Sequence, residues 1–289
     1  MNDDEGRAIV QQFADSDLPT IPKLDKELMD LIRPNTLDMD IVSLLAETTM
    51  LIHKPFDNEL TTYGFNPKEA KINLAEPTLF SRILKNASSA LNMPGVPDSY
   101  KCDKFSGIVN PYFSDPSLLV SPKMLSGRSG SELSFAIAKA LMLLRPEFYL
   151  LPKGQGAIEL IILMVFKFFR PNLNIPLDKT QQVLKNILEN NIRNDEAAFN
   201  RLSSTVNALA KRGGNLNTLL FVESVEDFCN RIGLLFCDNI AVVEKMLNEE
   251  AKSISSRSVR DRIGSLLVWA MSEDYIKLRQ KLGLCIKLH

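Results

Sequence analysis

The chain reads as an α+β protein dominated by helices. Two observations predict that class: apolar residues recur at helical spacing through most of its 289 residues, and β-prone pieces are confined to one stretch, Asn92 to Ser121, rich in proline, glycine and aromatics. A third bounds it: 45% hydrophobic and 24% charged residues, at this length, are ordinary for a globular chain able to bury a substantial core.

The first twenty or so residues are acidic, lack periodicity and end in LPTIP, so they are read as a lead-in. Helices are expected over about 24–32 and 39–52, with Pro34 stopping the first and Asp38 capping the second. Pro67 to Ile72 is too short to assign. A further helix spans 76–91, with Pro77 in its first turn and Leu79, Ile83, Leu84, Ala87 and Leu91 on one face. Short strands over 99–102, 107–109 and 117–120 form a small sheet that feeds directly into a helix at 131–144. Seven more helices follow, at about 155–170, 178–191, 194–211, 215–235, 238–250, 258–271 and 273–281. Asp178 and Asp195 are placed to cap, Arg212-Gly213-Gly214-Asn215 is a helix stop, and Tyr275, Leu278, Leu282 and Leu284 read as a stripe locking the last helix onto the core. No internal repeat is detectable. The organisation is a lead-in and helical segment over 1–74 and a main domain over 75–289, the two able to run as one continuous domain.

Charge excludes one class of function. With 34 basic against 35 acidic side chains there is no global field to draw nucleic acid. The opening MNDDEGRAIVQQF is unlike a signal peptide, and the most apolar run, Ile158 to Phe169, is too short to span a bilayer and reads as a core helix. Cys102, Cys229, Cys237 and Cys285 lack CxxC spacing, so reduced, mostly buried thiols in a cytoplasmic protein are expected. No cofactor is implied.

The residues from Gly130 to Glu147, GSELSFAIAKALMLLRPE, have the shape of a metallopeptidase active-site helix, yet the chain has only two histidines, His53 and His289. Zinc hydrolysis on such a helix needs two imidazoles one turn apart and a glutamate beside the first. The order ILKNASSALNMPGVPDSY, SLLVSPKMLSGRS, SELSFAIAKALMLL resembles the gluzincin metallopeptidases of the prenyl-protease and heat-shock-protease type in its sequence of helix, turn, strand, strand and active-site helix. The resemblance implies a zincin-like domain whose small sheet precedes a degenerate active-site helix. It places the first zinc histidine at Lys139, the catalytic glutamate at Ala140, the second histidine at Leu143 and the third ligand at Glu226, in the phrase EDFCN. Of these four vestigial metal-site positions only Glu226 keeps the family's identity. Leucine cannot ligate a metal and alanine cannot accept a proton, so the resemblance implies no metal, no catalytic residue and no zinc-dependent hydrolysis. If both side chains face the vacated position, an ion pair between Lys139 and Glu226 is expected to replace the zinc; the alternative is that each reaches solvent on a helix surface.

The phrases LLVSPKMLSGRSGSELSFAIAKALMLLRPE, FCNRIGLLFCDNIAVV and LLVWAMSEDYIKLRQKLGLCI also resemble the C-terminal domain of large tetratricopeptide-repeat proteins from myxobacteria and their relatives, over roughly 75–286. That implies a bacterial setting and a fold without the zinc motif.

Other candidates read as structure. Ser126, Ser129 and Ser131 lack a catalytic histidine and suit capping. Gly127, Arg128 and Gly130, like Lys153 to Gly156, offer only a weak anion-binding pattern. Cys229 and Cys237 flank an apolar stretch, and Arg257, Arg260 and Arg262, offset by Asp261, Glu249 and Glu250, read as a solvated face. Three functions remain: a non-catalytic module binding a protein or peptide along the sheet edge of the old cleft, an enzyme of non-zinc chemistry using Lys139 or Glu226, and an assembly domain whose cleft is filled around Ala140 and Leu143.

Overall fold

The computed structural model describes residues 21–56, 63–64, 66–110, 115–173, 176–213, 216–250 and 253–284. The lead-in, Gly214, Asn215, Cys285 and His289 lie outside the described residues. The described chain is predominantly helical with a small three-stranded sheet. In order it forms α1 Lys26–Ile32, α2 Met39–Phe56, α3 Pro67–Ala70, α4 Leu79–Ala90, β1 Asp98–Lys101, β2 Ile108–Val109, β3 Ser117–Val120, α5 Pro122–Leu125 and α6 Gly130–Met142. A 3-10 turn at Leu151–Lys153 leads into α7 Gln155–Phe169, α8 Lys179–Asn194, α9 Glu196–Lys211, α10 Thr218–Cys237, α11 Ile240–Asn248, α12 Val259–Ala270 and α13 Glu273–Lys281.

Local chemistry sets most boundaries. Asp178 and Asp195 cap α8 and α9, and Asp38 accepts from the Asp40 and Ile41 amides at the start of α2. Pro77 lies ahead of α4 instead of inside it, because the Thr78 hydroxyl accepts from the Ser81 amide and takes the cap position. Arg212 ends α9, and Gly213 follows with φ at 77°. The short α3 and α5 begin on Pro67 and Pro122 and are too brief to carry a helical period.

One large buried cluster runs through the molecule. Leu24, Ile32, Ile41 and Leu44 of the first helical segment share it with Leu84, Phe135, Ile161, Phe221 and Leu278. Ile158, Ile161, Ile162, Met164 and Val165 give α7 a buried face, and no described helix is long and apolar enough to cross a membrane. The sheet order is β1-β3-β2, with β1 parallel and β2 antiparallel to β3. Alternation along β3 sends Leu118 and Val120 into the large cluster and Leu119 to a smaller one with Tyr100 and Cys102. The outer edge of β1 is covered, since the Ile72 amide bonds to the Ser99 carbonyl.

The pairing of α6 with α10 places the central helix. A Cβ added at Gly233 would lie 2.5 Å from Phe135 Cδ2 and 3.2 Å from the Phe135 carbonyl oxygen, so only glycine admits this approach. Gly233→Ala is therefore expected to destabilise by up to about 2 kcal/mol, since overpacking costs about 1–3 kcal/mol against a helix-propensity gain of roughly 1. Urea unfolding measures this, and a stabilised variant would contradict the close approach.

Candidate functional site

A cavity of about 570 Å³ opens against the face of α6. Its walls are the segment from Phe105 to Asn110 carrying β2, the α6 residues Phe135, Ala136, Lys139 and Ala140 with Leu143 beyond them, and Met246, Glu249, Glu250, Ser253 and Ile254 at the end of α11 and after it. Three of the four positions singled out by the resemblance, Lys139, Ala140 and Leu143, line it. Ala140 is buried, Leu143 is half-buried, and open space lies over both, so among the described residues no side chain fills this cleft.

The β2 segment borders the cavity, and one side of it has no strand partner among the described residues. In the antiparallel register Ile108 opposes Val120 and Val109 opposes Leu119, and the Ser121 amide donates to the Gly107 carbonyl. The ladder alternates, so Gly107 and Val109 turn their backbone groups toward β3, and the N–H and C=O of Ile108 point away from it. Among the described residues no strand pairs with that side.

Lys139 and Glu226 do not form the expected ion pair. The Lys139 ammonium bonds Glu250 Oε1 at 2.5 Å, and its side chain is 10% exposed. Glu226 has no exposed surface and does not line the cavity. Its carboxylate accepts from the hydroxyls of Ser253 and Ser255 and lies 3.5 Å from Arg262 and 3.7 Å from Arg257. Arg262 also bonds Glu250 at 2.7 Å, and Arg257 bonds Asp227, so the cluster continues from Lys139 through Glu250 and Arg262 to Glu226. The physical reason is proximity: Glu250, at the end of α11, supplies a carboxylate nearer to Lys139 than Glu226 does. Burial pushes the Glu226 carboxyl up, but the Lys139 ammonium, the two serine hydroxyls and Arg262 outweigh it and hold it below the usual carboxylate range.

A second chain of charges rims the opening. Arg128 bonds Glu132 and Glu249, Lys123 reaches Glu249 at 3.2 Å, and Lys245 reaches Glu132 at 2.5 Å. Both terminal nitrogens of Arg128 are thus committed to carboxylates, and its buried Nε has no partner among the described residues. Hydrogen bonds from Arg128 and Lys123 pull Glu249 down to about 2. Ser129 caps α6 in a reciprocal box with Glu132.

Sequence reading missed Glu250, Ser253, Ser255, Arg257 and Arg262. Of the arginines read as a solvated face Arg260 is exposed, whereas Arg262 is 3% exposed and the Arg257 side chain 15%. The available signal was Glu226 itself: a carboxylate in the middle of a long apolar helix demands cationic and hydroxyl partners. Cys102, Cys229 and Cys237 are free and buried, and burial pushes the last two thiols up to about 12, which makes them inert. Among the described residues no three His, Cys, Asp or Glu side chains are grouped to hold a metal ion.

Two outcomes follow from this charge arrangement. Glu226→Gln leaves Arg262 and Arg257 short of a counter-charge and is expected to cost about 3 kcal/mol in urea unfolding. Because Glu226, Glu132 and Glu249 have folded values below their unfolded ones, the unfolded chain takes up protons first. Their contribution is complete above about pH 5 and is lost as pH falls through the folded values, toward about 2 for Glu249. The urea midpoint should hold from about pH 7 to 5 and fall below about pH 4, and a flat acid limb would contradict the assignment.

Comparison with protein-family models, with curated proteins and with solved structures finds no match to this chain.

Proposed function

We propose that the chain is a non-catalytic, zincin-like protein that binds an extended polypeptide in the cavity between β2 and α6. The observation that carries this reading is the unpaired side of β2, with the backbone groups of Ile108 turned outward beside a mainly apolar cavity. A segment added there as a strand would gain main-chain hydrogen bonds and place alternate side chains against Phe135, Leu143, Met246 and Ile254. The order of helix, small sheet and cavity-bearing helix agrees with the zincin-like reading.

The other two functions have less support. A general base is poised by a raised carboxyl pKa, whereas Glu226 is held low and sits behind the cavity wall. An assembly domain with a filled cleft is disfavoured by the open space over Ala140 and Leu143.

The test uses Ile108→Pro. Its amide points away from β3, so proline removes no ladder bond and Gly107 before it tolerates the ring, but the bond to an added strand is lost. Fluorescence polarisation with uncharged, end-capped peptides should give binding by the native chain and about tenfold or greater weakening in the variant, with the thermal midpoint little changed. Equal binding by a folded Ile108→Pro variant would refute strand addition at this edge.

A further inference from the structure

We infer that Lys139 is the anchoring donor of this cavity, holding a neutral main-chain carbonyl of the bound segment, so that the partner is an extended stretch of uncharged, apolar residues. The inference rests on the polypeptide-binding reading and specifies the chemistry of that partner.

An ammonium carries three N–H donors and no acceptor. Around Lys139 the described protein supplies one acceptor, Glu250 Oε1 at 2.5 Å, and one aromatic face, the Phe135 ring with its centroid 5.9 Å from Nζ. The side chain is nine-tenths buried, and Lys139, Phe135 and Glu250 all border the cavity. Donor capacity is therefore left over in a place largely withdrawn from solvent, where an unmet hydrogen bond costs most and a ligand oxygen gains most.

Charge decides which oxygen. Beside Lys139 the charges balance, with Lys139, Arg257 and Arg262 matched by Glu226, Asp227 and Glu250 in one connected cluster, while the rim set of Lys123, Arg128 and Lys245 against Glu132 and Glu249 carries one surplus positive charge at the opening. A ligand carboxylate would add a fourth negative charge beside Glu250, and a ligand cation would meet Lys139 without a free carboxylate. A carbonyl oxygen accepts from the ammonium and leaves the balance intact. The neighbouring walls, Ala140, Leu143, Met246 and Ile254, call for apolar side chains on either side of that carbonyl.

The experiment titrates the full chain against end-capped heptapeptides followed by fluorescence polarisation: an uncharged Val/Leu/Ala/Ser set, and matched sets carrying a central Asp or Lys. The native protein should prefer the uncharged set, and Lys139→Met, which keeps the apolar stem, should weaken binding about tenfold or more. A second series reduces each peptide carbonyl in turn to a methylene. One position should show the same loss with native protein and no further loss with Lys139→Met. If uncharged peptides bind the folded variant as tightly as the native chain, or a charged set is preferred, the Lys139 assignment is overturned and the polypeptide site stands. If no peptide of any set binds the native protein, the site reading itself falls and takes the assignment with it. Should Lys139→Met fail to fold, the carbonyl series on native protein decides alone, and equal losses at every position overturn the inference.

Discussion

A carboxylate with no exposed surface sits in the middle of α10, and the chain that follows is arranged to satisfy it. An unmet charge there would cost several kcal/mol, so the fold must bring donors to Glu226. Two come as hydroxyls from Ser253 and Ser255, and positive charge comes from Arg262 and Arg257. Meeting that demand pins the segment after α11 against α10, and the same segment, through Ser253 and Ile254, forms one wall of the cavity. A buried charge thus shapes a site from which it is itself withdrawn.

The opposite wall depends on apolar packing. Gly233 lets α10 approach Phe135 closely, which fixes the height of α6 and with it Lys139 and Ala140. β3, with all four residues buried, anchors the sheet to the core and holds β2 at its edge. The cleft stays open because Ala140 offers only a methyl group where a larger side chain would close it, and because Lys139 is drawn to Glu250. Charge pairing on one side and helix packing on the other leave a mainly apolar space beside a strand edge that no described strand pairs.

Most of the architecture was legible in the sequence. Helical period, the capping residues Asp38, Asp178 and Asp195, and the β-prone run before Gly130 are local signals, and the elements they mark stand where the chain places them. The short α3 and α5 carry too few residues for a period to register. Of the site, Lys139, Ala140 and Leu143 border one cavity, and the Lys139 ammonium helps hold the Glu226 carboxyl low. Their connection through Glu250 and Arg262 was not legible, because it joins residues 111 positions apart on a helix end that reads as solvent-facing. Pairing across such distances follows from how helices dock, and one sequence carries no direct trace of it.

Hydrogen exchange at the Ile108 amide, measured with and without a saturating uncharged, end-capped peptide, tests strand addition at β2 most directly. Strand addition predicts marked slowing at Ile108 and little change at Val109, whose amide already faces β3. A peptide that binds while Ile108 exchanges at its free rate would contradict it.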